Sequence, residues 1–352
     1  MTAGESTVAG RLVDPGLRSR FAAEVLADGE PDVAGALTLA TALANEGCQP
    51  GTGHTLGYLR TLASLGAVDA TAARAVEPHL DARAILDQAG LGPVIEDIGA
   101  DEKSTWGVYA AHAPGHRLQA TSDGPGWTLS GVKPWCSLSR QLSHAIVTAH
   151  VSDGERRAFA VRLDPAVIAT LDADWVARGL VAVPSGPIAM DAAPAAPVGE
   201  SGWYLERPGF AWGGIGVAAV WYGIAFGLLE ALRDYARTHA GDRIVLAQLG
   251  SADELMFATA TCLEASAREI DAGSAGATAN LLAQRVRAVT ARAAEAVQQI
   301  AGHALGPGPL VGDEGYARRV ADLTVYLRQH HGERDLAQLG QLILDDAGHL
   351  DA

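Results

Sequence analysis

The hydrophobic period of this chain changes twice, and that change restricts the fold more than any other feature of the sequence. Over residues 15–97 apolar side chains recur every three to four positions, as they must on one face of a helix. The stretch 55–90 is the clearest case, with Asp69 placed as an N-cap and Gly90 as a stop. After Gly99 the period drops to two. WGVYAAHA, RLQATSD, GWTLSGVKPW, HAIVTAHVSD and RRAFAVRLD alternate as strands do, with Gly, Pro, Ser and Asp between them. The GPG triplet at 124–126 predicts a hairpin, and the Ala/Pro-rich DAAPAAPVG at 191–199 reads as a linker out of this region. From residue 208 the helical period returns. Helices are predicted over about 210–239, 245–272 and 277–304, with a last pair over 313–349. The expectation is an α+β chain with a reduced N-terminal helical domain (1–98), a central β barrel or sandwich (99–200) and a C-terminal helical bundle (201–352).

Bulk properties narrow the function classes. A formal net charge of −15 repels phosphates and argues against nucleic acid. Cys48, Cys136 and Cys262 are far apart and odd in number, which indicates neither a zinc site nor a disulfide framework and suits a reduced, cytoplasmic setting. Residues 1–20 lack the apolar core of a signal peptide. The 22 residues 208–229 carry no charge and are long enough to span a bilayer. Their glycine content and the amphipathic region that follows favour a buried bundle helix, with no membrane partner.

Specific residues go further. GWTLSGVKPWCS (126–137) resembles the signature of the acyl-CoA dehydrogenase family, an aromatic-rich strand followed by Gly-x-Lys and Trp-Ile-Thr. VYAAHAPG (108–115) stands where that family carries its Thr-Glu-Pro loop. WVARGLVAVPSGPIAMDAAPA (175–195) is similar to its Gly-x-Arg-Gly segment and exit strand. HALGPGPL (303–310) and RRVADLTVYLRQHH (318–331) are similar to its glycine-rich turn and Arg-Asp helix. The resemblance covers roughly residues 55–345 and implies FAD. It places Trp135 against the flavin ring and Ser137 near its N5, with Cys136 between them. Ala111 and His112 fall in the loop over the cofactor, and Gly306 in the glycine-rich turn. A flat, electron-poor ring covered by an indole, with a donor at N5, makes chemical sense.

The departures concern the reaction. The family's catalytic glutamate position carries His330, or Gln329 if the alignment slips by one, with His331 adjacent and Glu333 three residues on. A histidine can serve as a general base near neutrality, and the pair can equally cap a helix bend. Arg-x-x-Phe-Gly, which in the family binds the flavin pyrophosphate of a neighbouring subunit, is lost from 235–250. Arg243 and Gln248 remain as candidates, with a surface arginine at a helix start as the alternative. Glu77, His79 and Asp81 read as a solvated helix edge unsuited to a metal. The aromatics Trp203, Tyr204, Trp212, Trp221 and Tyr222 read as core packing, or as the wall of an apolar pocket.

The resemblance implies FAD-dependent α,β-dehydrogenation of an acyl substrate, such as a CoA thioester. An electron-transfer or flavin-reductase partner and a homodimer or homotetramer go with it. Two alternatives keep the fold. One is a flavin-dependent monooxygenase, with His330 or His331 steadying the oxygenated flavin. The other is a non-catalytic flavin-binding member.

Overall fold

In the computed structural model the described residues are 12–122, 124, 126–171 and 175–348. Four helices open the chain: α1 (Pro15–Val25), α2 (Val33–Asn45), α3 (Thr55–Val68) and α4 (Ala70–Gln88). A short antiparallel pair, β1 (Leu26–Ala27) and β2 (Glu30–Pro31), joins the first two. Aspartate starts three of these four helices. Asp14, Asp32 and Asp69 cap α1, α2 and α4, each accepting from a backbone N–H of the first turn. The expected cap at Asp69 and stop at Gly90 (φ 72°) are both present.

The middle of the chain forms β3 (Trp106–Tyr109), β4 (Leu118–Ser122), β5 (Trp127–Ser137), β6 (His144–His150), β7 (Arg156–Arg162), β8 (Ile168–Thr170) and β9 (Ser185–Val198). Hydrogen bonding runs β3-β6-β4-β5-β9-β7, and β7 returns to β6. The sheet is therefore a closed barrel, which leaves few edges exposed. β4 and β5 form the predicted hairpin, with Ser122 opposite Trp127; Pro125 of the GPG triplet lies outside the described residues. The predicted linker at 191–199 is a correction, because most of it is the second half of β9. Its prolines are tolerated there because each faces a partner strand on one side only, Pro194 opposite Thr128 of β5 and Pro197 opposite Phe159 of β7. Lys133 points into the barrel wall, where its Nζ donates to the carbonyl and the hydroxyl of Thr148, both at 2.8 Å. Burial lowers its pKa to about 8, so this lysine is a structural tie between β5 and β6.

A short helix α5 (Trp203–Glu206) leads into α6 (Pro208–Thr238), α7 (Arg243–Asp271), α8 (Gly276–Leu305), α9 (Gly308–Gly312), α10 (Glu314–Tyr326) and α11 (Glu333–Gly348). α6 is the uncharged segment. Its most apolar window has a mean hydropathy of 1.8 and is 78% buried, so it is the axis of the bundle. Glycines let α3 and α6 touch backbone to backbone. A Cβ at Gly223 would lie 2.0 Å from the carbonyl oxygen of Ala63, and one at Gly66 would lie 2.5 Å from that of Val220. α10 then ties the parts together. Arg319 donates to the carbonyls of Gly66 (3.2 Å) and Val68 (3.1 Å), closing the end of α3. Asp322 accepts from the backbone N–H of Leu180, which belongs to the Gly-x-Arg-Gly-like segment.

The α3–α6 contact predicts that Gly223→Ala, an ordinarily helix-favouring change, destabilises the protein by about 2–3 kcal/mol through overpacking. Urea unfolding at fixed pH measures it; a stability equal to or above wild type would refute the contact.

Candidate functional site

Two features stand out, the end of β5, which meets α4, and a cavity among the helices. At the end of β5 the register with β9 shifts between Lys133 and Cys136, which marks a bulge. Trp135 sits in that bulge with φ 60°, a backbone region that a bulky residue adopts only when held there. The bulge turns its indole outward, 56% exposed. Cys136 points the other way, into the core, and burial drives its thiol up to about 12. It therefore offers no reactive sulfur and no cofactor contact.

Ser137 is buried and fully engaged. Its Oγ accepts from Arg74 of α4 (Nη2, 3.2 Å) and shares a hydrogen bond with Ser185 (2.7 Å). The Tyr109 hydroxyl donates to its carbonyl at 2.9 Å. Arg74 also lies 3.9 Å from Glu77 and 5.7 Å over the ring of Tyr326. The space enclosed among Arg74, Tyr109, Ser137 and Leu142 is about 10 Å³, which holds about one water. The side chains at 135 and 137 suit a flavin in kind. The Oγ of Ser137 is engaged by Arg74 and Ser185, so a flavin atom there would replace one of them.

The other candidates lie elsewhere. Ala111 and His112 are exposed in the loop after β3, and His112 stacks edge-on to His150 while contacting Arg156. His112 borders a cleft of about 430 Å³ that Thr148, Arg156, Arg157 and Phe210 also line. Arg243, the first residue of α7, and Gln248 line a shallow depression with Ile300 and His303. No strand of the barrel reaches that depression, so a single protomer does not bring Arg243 and Gln248 to Trp135. Gly306 is the C-cap of α8, with φ 67°.

The internal cavity is about 630 Å³ and lies between α4, α5, the start of α6, α8 and α11. Glu77, Asp81, Tyr204, Arg207, Arg287 and His331 are among its lining residues. The expectation of a solvated edge at 77–81 is therefore wrong. Glu77 is 6% exposed and His79 is fully buried. Helical spacing alone cannot show which face a second domain will cover, and here the barrel covers it: Trp106 of β3 donates its N–H to His79 Nδ1 at 3.1 Å. Burial raises Glu77 to about 7, with Asp81 adding to the rise and Arg74 and Arg287 opposing it. Asp81 is paired with Arg207 at 3.2 Å. Arg287 stacks over Trp221 at 4.8 Å and donates to the carbonyls of Gly214 and Gln329. Of the expected aromatics, Tyr204 faces the cavity while Trp221 and Tyr222 are core.

The two histidines differ. α10 ends at Tyr326, and an extended His330 and Gly332 (φ 57°) separate it from α11, so no continuous helix carries Glu333 back toward His330. His330 Nδ1 accepts from the Gly332 N–H at 3.3 Å, and its Nε2 is buried without a protein partner. A neutral imidazole that accepts at Nδ1 carries its proton on Nε2, so His330 presents a donor. His331 lines the cavity and has the opposite arrangement, with Nδ1 3.2 Å from Asp335.

No family model and no curated protein matches the chain. Solved structures match over nearly its whole length. Butyryl-CoA dehydrogenase from Megasphaera elsdenii is 17% identical, covers 98% of this chain and 100% of its own, and superposes with a TM-score of 0.76. FMN-bound TdsC from Paenibacillus sp. A11-2 is 16% identical over 96% of each chain, with a TM-score of 0.76. The nitrososynthase of Micromonospora carbonacea var. africana is 21% identical over 92% of this chain and 93% of its own, with a TM-score of 0.70. The chain has the acyl-CoA dehydrogenase fold.

Proposed function

We propose that this chain is a flavin-dependent oxidoreductase that dehydrogenates a polar, carbonyl-bearing small molecule held in the internal cavity. The observation that carries this reading is the cavity itself. On a fold shared with butyryl-CoA dehydrogenase, TdsC and a nitrososynthase, about 630 Å³ opens beside a buried, near-neutral carboxylate. A carboxyl perturbed by burial and by specific charges, in a cleft, is a candidate for a reaction site. The charged lining favours a compact polar substrate over a long alkyl chain. Arg287, fixed by two carbonyls and by Trp221, would orient it. His331, with Nδ1 on Asp335, would accept a hydrogen bond at Nε2. His330, whose neighbours Gln329 and His331 line the cavity, does not itself line it.

A bound flavin would supply the two-electron acceptor. Trp135 would wall it and Ser137 would face it once Arg74 withdraws. We favour FAD, because Arg243 stands exposed on α7 where a second copy's pyrophosphate could meet it. Ile244 (71% exposed) and Phe257 (47%) on the same helix provide apolar surface for a homodimer or homotetramer. The contact of Arg74 with Ser137 favours a second reading, a member of the fold that does not carry out flavin chemistry.

Absorption spectroscopy separates the two. Purified protein supplied with FAD is expected to show bound-flavin bands that an acyl or polar carbonyl substrate bleaches under anaerobic conditions. Arg74→Ala, which frees Ser137, is expected to bind FAD at least about tenfold tighter than wild type, about 1.4 kcal/mol. A protein that takes up neither FAD nor FMN, as wild type or as the variant, would rule out the flavoenzyme.

A further inference from the structure

We propose that Glu77 is the proton-exchanging residue of the internal cavity, placed to take a proton from the carbon beside a carbonyl whose oxygen is held by the donors around it. The proposal rests on the reading of this cavity as the substrate site. Three observations carry it.

The first is position. Glu77 and Asp81 stand one turn apart on α4 and both line the cavity, which also reaches the exposed residues Leu205, His331 and Gln338 and so communicates with solvent. The second is commitment. Asp81 is held by Arg207 at 3.2 Å, and Asp335 accepts from the backbone and ring of His331. Glu77 has its nearest cation, Arg74, at 3.9 Å, beyond hydrogen-bonding distance. The Tyr326 hydroxyl stands beside it, so of the three carboxylates it is the one held by neither an arginine nor a histidine. The third is the company it keeps. Arg207, which lines the same cavity, has its Nε buried without a protein partner, and Arg287 lines it too. A buried donor left unpaired is costly. A carbonyl oxygen that gains negative charge would satisfy it.

The step balances without a further reactant. The C–H bond breaks, the proton joins the Glu77 carboxylate, and the electron pair remains on the substrate as an enolate. Arg74 and Asp81 act on its titration from its own helix, Arg287 from α8 and Tyr326 from α10, while Tyr58 of α3 and Tyr204 of α5 also face it. Burial and Asp81 oppose the charged form, and the two arginines and the Tyr326 hydroxyl favour it.

A carboxyl-selective carbodiimide, which adds to the protonated acid, tests this without knowledge of the substrate. Full-length protein treated with dicyclohexylcarbodiimide at pH 6 should carry a stable N-acylurea adduct on Glu77, located by peptide mass spectrometry. The adduct should fall at least about tenfold by pH 8.5. Glu77→Gln should lose it, and Glu77→Asp should retain a pH-dependent adduct at that position. In parallel, Glu77 contributes stability that is full below its ordinary value of 4.5 and is lost as pH rises through about 7. The thermal midpoint of wild type should therefore fall relative to Glu77→Gln across that window. Absence of an adduct on Glu77, or labelling that is level from pH 6 to 8.5, overturns the proposal. Flavin content measured on the same samples reports separately on the cofactor, because labelling requires none.

Discussion

The helical part of the chain is built on a contact in which α3 and α6 pack closer than side chains normally allow. Gly66 and Gly223 place backbone against backbone, and Gly216 leaves room for the ring of Tyr58, whose hydroxyl would lie 2.5 Å from a Cβ there. This contact fixes α6 as the axis on which the other helices pack. α8 lies along one side of it, and α10 reaches across to α3 through Arg319. The same contact explains why so apolar a helix is buried in protein. Its small residues give up side-chain area in exchange for dispersion contacts at short range.

Against that rigid axis the site is an accumulation of buried charge. Arg74, Glu77, Asp81, Arg207 and Arg287 come from α4, the end of α5 and α8, and they meet where the helices diverge. Burying ions is costly unless they are paired, and the pairing here is uneven. Asp81 and Arg207 satisfy one another, while burial holds Glu77 well above the ordinary carboxyl range with only Arg74, Arg287 and Tyr326 to favour its charge. A buried carboxyl of this kind beside the unpartnered Nε of Arg207 is where the proposed polar substrate would sit.

The end of β5 shows the same economy. A bulge costs local pairing and a left-handed tryptophan costs backbone energy, yet together they aim an indole outward. Two residues on, Ser137 is closed off by an arginine from another domain. One strand thus offers a surface for a flat ring and, beside it, a seat that a flexible side chain already occupies.

The amino-acid pattern alone sets the succession of helical and strand segments, because periods of 3.6 and 2 follow from backbone geometry. It also determined the cap at Asp69, the hairpin around residue 124 and the resemblance carried by Trp135 and Ser137. It misread 191–199, because prolines signal a linker until two partner strands are known to lie on alternate sides of them. It misread Glu77 for a related reason. Charged residues on a helix look solvated in one dimension, and only the arrival of β3, α8 and α10 from distant parts of the chain takes water away from them. Which histidine donates and which accepts was likewise decided by the tertiary fold, since a tautomer depends on the partner of the other ring nitrogen, Gly332 N–H in one case and Asp335 in the other. Local pattern fixes the elements. Burial and pairing, which set the chemistry, belong to the assembled fold.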